Sequence, residues 1–81
     1  MSLTVFDTRG IPATRRERII AAVEAGGKCT SGPFEAWVTS DGRGTVRVVI
    51  TGSQGFDRRV VFAVDEAEAE ITDRVMRTLE A

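Results

Sequence analysis

An 81-residue chain with 42% apolar and 28% charged residues is long enough for one globular domain, 1–81, with a thin core. It has no histidine and one cysteine, Cys29, which excludes an intrachain disulfide, a cysteine metal cluster and histidine acid–base catalysis. Its net charge of −1 hides an imbalance: residues 1–64 sum to +3 and residues 65–81 to −4, as suits self-complementary association or one acidic, solvated helix.

Leu3 to Asp7 is a short β-prone run that suits an edge strand. The opening residues lack the basic start and long apolar stretch of a secretion signal, and no apolar run approaches the ~18 residues of a membrane span. A cytoplasmic location and no membrane partner are therefore expected. Lys28 is the only lysine, and the reliance on arginine suggests a GC-rich bacterial genome. Thr8 to Pro12 is a loop, broken by Gly10 and Pro12. Thr14 then opens a helix, with Glu17 completing a Thr-x-x-Glu capping box. Ile19, Ile20, Ala22 and Val23 form its apolar face, and Gly26-Gly27 ends it. Lys28 to Gly32 is a polar connector.

Pro33 to Asp65 carries three β-rich runs with alternating polarity. Asp41-Gly42-Arg43-Gly44 and Gly52-Ser53-Gln54-Gly55 separate them as turns, so the stretch reads as an antiparallel meander. Phe34, Ala36 and Val38 share one face of the first run, Val46, Val48 and Ile50 of the second, and Val60, Phe62 and Val64 of the third. Asp65 is placed to cap a last helix, with Glu68 as the capping-box acid. Ala67, Ile71, Val75 and Leu79 recur every four residues as one stripe. The expected fold class is α+β: a two-layer sandwich of (β)αβββα order, with helices packed on one face of a three-stranded antiparallel meander.

The other face of the meander should be polar and is not. Trp37, Val49, Val61 and Ala63 fall there, with Arg47 and Arg59 among them and Glu35 and Asp57 at one end. Tryptophan and arginine are enriched where proteins contact one another. Trp37, Arg47, Val49, Arg59 and Val61 are therefore the candidate interface, and a second copy of the chain is the expected partner. Two other readings stand beside this one. The N-terminal segment could cover the patch through Leu3, Val5 or Phe6. Alternatively, the face is merely exposed, its β-branched residues chosen for strand propensity.

Catalysis has little support. Cys29 has no histidine to activate it, though Lys28 beside it favours the thiolate. The acids Glu66, Glu68, Glu70 and Asp73 lack calcium-loop spacing and read as a solvated helix face. Asp41-Gly42-Arg43-Gly44 precedes a strand, so it is a hairpin turn and not a phosphate loop. No catalytic, cofactor-binding or metal-binding residue is assigned, and no cofactor is expected.

Nucleic acid is the rival partner. The αβββα order is similar, in topology alone, to that of double-stranded-RNA-binding domains. That family grips phosphates with a basic cluster at the start of its last helix. Here the stretch is Asp65-Glu66-Ala67-Glu68-Ala69-Glu70, whose carboxylates repel a phosphate backbone. Duplex RNA is therefore not an expected ligand. A different anionic partner would use Arg15, Arg16 and Arg18, crowded into the first helical turn, and the sequence pI near 5.4 weighs against it. The chain thus reads as a small non-catalytic domain that acts through protein contact as a homodimer, with weak arginine-mediated anion binding as the alternative.

Overall fold

Alternation of β-branched residues around two glycine-bearing turns produces the meander, and the computed structural model, which describes residues 2–5, 8–28 and 34–80, contains it. Strands β2 (Glu35–Ser40), β3 (Thr45–Thr51) and β4 (Asp57–Ala63) pair antiparallel in sequence order. A fourth strand, β1 (Ser2–Val5), adds to the edge beside β2 and runs parallel to it, so the sheet is mixed, in the order β1-β2-β3-β4. Parallel neighbours need a crossover, and helix α1 (Ala13–Gly27) supplies it. Helix α2 (Glu68–Glu80) follows β4. Phe6, Asp7, Cys29 and the remainder of the connector to Pro33 lie outside the described residues.

The turns follow from side-chain chemistry. The Asp41 carboxylate accepts hydrogen bonds from the backbone N–H groups of Arg43 at 2.7 Å and Thr45 at 3.1 Å, closing the β2–β3 turn. The β3–β4 turn bends through Gln54 and Gly55, both at positive φ, and Gly52 N–H donates to the Phe56 carbonyl at 3.0 Å. Gly10, at φ 74°, lies against the first turn, where a Cβ would meet the Gly42 carbonyl carbon at 3.0 Å. Buried Ser40 completes that junction: its hydroxyl donates to the Arg9 carbonyl and accepts from Gly42 N–H at 3.1 Å. The loop before α1 is thereby pinned to the hairpin.

Helix boundaries depart from the sequence expectation in three places. Helix α1 starts at Ala13, with Pro12 as its cap residue and no side-chain cap, so the Thr14–Glu17 box does not form. Proline's fixed φ pre-sets the entry, and its carbonyl accepts from Arg15 and Arg16 N–H at 3.0 and 2.9 Å. Gly26 and Gly27 do not end the helix but form its last turn, and Lys28 closes it in a right-handed conformation. Helix α2 begins at Glu68 and not beside Asp65, because the chain first reverses through a turn in which Glu66 N–H donates to the Ala63 carbonyl at 3.0 Å. Ala67 is consequently exposed, and the buried stripe is Ile71, Val75 and Leu79. Glu68 and Glu70 still occupy the first turn, where the helix dipole favours acids.

The core lies between the sheet and the two helices. Seven of the nine residues expected there are buried, from Ala36 in β2 to Phe62 in β4, while Phe34 and Val64 are half-buried at its margins. Helix α1 contributes Ile19, Ala22 and Val23, and the preceding loop adds Ile11, which periodicity does not flag. Each such Ile or Val side chain contributes about 1.5–3 kcal/mol on full burial. The helices meet closely at Gly26, and the Thr72 hydroxyl donates across the crossing to the Ala22 carbonyl at 3.1 Å.

Candidate interaction face of the sheet

Because both helices pack on the face that holds Val38, Val48 and Phe62, the opposite face has no cover among the described residues. Strand register arranges its side chains in rows. One row runs Thr4–Trp37–Val49–Arg59 across all four strands, and the next runs Thr39–Arg47–Val61 across three. A third, at one end, holds Glu35, Thr51 and Asp57. Cross-strand neighbours in a row stand about 4.5–5.5 Å apart, so Trp37 and Val49 lie side by side and Val61 is diagonal to Val49. Val61 is 48% exposed, the one large hydrophobic fully open among the described residues, while Trp37 and Val49 are half-buried. Arg47 and Arg59 are exposed.

The N-terminal strand does not cover this patch through Leu3 or Val5. It extends the sheet sideways, and its register with Ala36 and Val38 turns Leu3 and Val5 toward the core, against which both are partly buried. Thr4 is the residue it contributes to the open face, opposite Trp37. Phe6, the third residue of that reading, lies outside the described residues. What the sequence missed here is parity. A shift of one residue in register decides which of two alternating sets faces out, and four residues alone do not carry that choice.

Strand β4 ends the sheet, and three of its edge carbonyls are occupied by donors other than the backbone of a further strand. The Val61 carbonyl accepts from the Arg74 guanidinium at 2.9 Å, that of Asp57 from Arg58 at 3.0 Å, and that of Ala63 from Glu66 N–H at 3.0 Å. Arg74 is held in turn by the Glu66 carboxylate at 3.4 Å. Arg58 also lies over the Phe56 ring, 4.9 Å from its centroid.

The three arginines of the α1 first turn have separate fates. Arg15 is half-buried and bridges α1 to the β4–α2 connection, donating to the Val64 carbonyl at 3.0 Å and the Glu66 carbonyl at 2.5 Å. Its donors are thus committed to backbone, which a sequence separation of about fifty residues concealed. Arg18 makes an exposed ion pair with Glu68 at 3.7 Å, joining the two helix starts. Arg16 is exposed beside Val5, Thr8, Glu17 and Ile20 in an open depression. The three do not converge on one point where an anion would sit.

One titration is displaced by structure. The backbone N–H groups of Arg43 and then Thr45 hold the Asp41 carboxyl below its ordinary value of 3.8. Both donors belong to the turn itself, so the shift reports a turn lock. Among the described residues no three histidine, cysteine or acidic side chains are grouped to hold a metal ion, and no helix is long and apolar enough to cross a membrane. No protein-family model, no curated protein and no solved structure matches this chain.

Proposed function

We propose that this protein is a non-catalytic, cytoplasmic bacterial module that works by protein contact, and that its partner on the open sheet face is a second copy of itself. The observation that carries this reading is the placement of Trp37, Val49 and Val61 together on a face that neither helix nor β1 covers. Four strands about 4.8 Å apart and about 20 Å long give a face of roughly 400 Å² per copy. A pair of such faces buries roughly 800 Å², less than a standard specific interface, so the contact is weak and reversible. Glu35 and Asp57 lie at one end of the face and Arg59 and Arg47 in the rows beyond them, so both signs of charge are present for a second copy to meet, and self-pairing is commonest around a twofold axis.

Anion binding through Arg15, Arg16 and Arg18 has weaker support, since Arg15 is spent on carbonyls and Arg18 on Glu68. Sedimentation of the wild-type chain between about 1 and 100 μM tests the reading. A Kd below that limit corresponds to roughly 5.5 kcal/mol or more. Trp37→Glu is expected to give a monomer with its circular dichroism kept. A wild-type chain that is monomeric at ~100 μM, or one that binds duplex RNA saturably at physiological salt, contradicts it.

A further inference from the structure

The two edges of the sheet differ, and from the difference we infer that the β1 edge takes an extended peptide as a fifth strand. The peptide carries aliphatic residues at alternate positions and an acidic residue next in the same alternation. This surface is separate from the open face and does not rest on self-association. At the β4 edge, Arg58, Arg74 and the Glu66 amide hold three carbonyls. At the β1 edge, no donor or acceptor among the described residues meets the outer backbone groups of residues 2–5, whose strand partner is β2 alone. A strand left in that state offers a row of N–H and C=O groups to an incoming strand.

The core face of the sheet states which side chains the fifth strand brings. Val5, Val38, Val48 and Val60 stand in register as one row across all four strands. Three of them are exposed by 4% or less, while Val5, at the open edge, is half-buried. Leu3, in the neighbouring row, is half-buried as well. A strand laid beside β1 sets one side chain against Val5 and another, two residues along, against Leu3. Aliphatic side chains at those positions continue both rows and cover what the edge leaves open.

Val5 also borders the depression shared with Thr8, Arg16, Glu17 and Ile20. No residue of β2 lines it, which places it on the outer side of β1. Its volume of about 530 Å³ falls among ligand clefts of about 300–1,000 Å³. Ile20 gives the side chain over Val5 an apolar wall. Arg16 is exposed, enters no ion pair among the described residues, and belongs to a helix with no acid in its first turn. Arg15, Arg16 and Arg18 outnumber Glu17 and the Glu68 that Arg18 holds, so this rim is positive on balance. An acidic side chain two residues past the one over Val5 is drawn to it. Residues 2–5 of a second copy carry no acid and leave Arg16 unmet, which favours a different segment. Main-chain bonds then supply the affinity, and the alternate side chains supply the selection.

Fluorescence anisotropy with end-blocked, fluorescein-labelled peptides tests the edge on the wild-type chain. The probes are Ser-Val-Ser-Val-Ser-Glu and its reverse, which serve parallel and antiparallel addition. One of them should bind saturably with a Kd below about 1 mM. N-methyl groups on one alternating set of its amides should abolish binding, and on the other set should leave it intact, because only one set faces β1. Arg16→Glu should weaken the acidic peptide roughly fivefold and favour its lysine counterpart, with the fold unchanged. Absence of binding by either order at ~1 mM, or equal loss from both methylated sets, overturns strand addition. An Arg16→Glu chain that still prefers the acidic peptide overturns the assigned chemistry. A peptide copying residues 2–5 that binds as tightly reassigns the edge to a second copy and overturns the separate partner.

Discussion

Gly26 of α1 approaches Val75 of α2 so closely that a Cβ on the glycine would lie 2.7 Å from the Val75 Cβ and 2.8 Å from the Thr72 carbonyl oxygen. The missing side chain therefore sets the distance between the helices. Gly26→Ala gains about 1 kcal/mol of helix propensity and loses about 1–3 kcal/mol to overpacking. The backbone oxygen cannot step aside as a side chain can, so the loss prevails. We expect net destabilisation of up to about 2 kcal/mol in urea unfolding, which Val75→Ala in the same chain does not restore. A variant as stable as the wild type refutes the close crossing.

Phe62 is 2% exposed, at the centre of the core. Phe62→Ala should cost about 3–5 kcal/mol, a large share of the stability of so small a domain. A thermal midpoint that moves by only a few degrees contradicts the parity of β4.

Arg15 and Arg16 are adjacent in sequence and should behave differently. Arg15→Met strips two carbonyls of their donor and should destabilise by about 2 kcal/mol. Arg16→Met should stay within about 0.5 kcal/mol, as an exposed substitution. Because the Arg15 partners are carbonyls and not carboxylates, 1 M salt should leave its effect nearly intact. An Arg15 effect that vanishes in salt points to an ion pair in its place.

The Asp41 carboxyl titrates below 3.8 in the folded chain, so the folded state favours its ionised form. The stability this lends is fully present above the unfolded value and is lost as pH falls through the folded one. Asp41→Asn should accordingly be less stable than the wild type at neutral pH and converge with it below pH 3.8. A stability gap that stays constant across that range contradicts the turn lock.

The meander and its core face were legible because a period of two repeats over three runs, and every repeat restates the same parity. Trp37 and Val61 were legible for the same reason, as apolar residues out of place in that alternation. The direction of β1 was not. Four residues have no periodicity to distinguish parallel from antiparallel, and its pairing depends on a crossover through α1. The start of α1 was misplaced because Thr14 and Glu17 form a capping pattern whose role Pro12 takes through backbone geometry alone. The Gly26-Gly27 pair looked like a stop signal, and only the approach of Val75, some fifty residues on, shows why a small residue stands inside the helix. The arginine cluster dispersed for a similar reason. Sequence proximity brought Arg15, Arg16 and Arg18 together, while their partners lie in distant segments.

The arginines that cap the carbonyls of β4 have a bearing on how far assembly can go. An open strand edge invites a further strand, and a chain that accepts one at each end grows into a filament without limit. Here Arg74, Arg58 and the Glu66 amide occupy three acceptors along that edge, so an incoming strand must first displace them. Growth by strand addition is thereby checked at one end of the sheet, and the proposed face-to-face pairing would close on itself after two copies. A concentrated solution should hold finite particles and remain free of fibres.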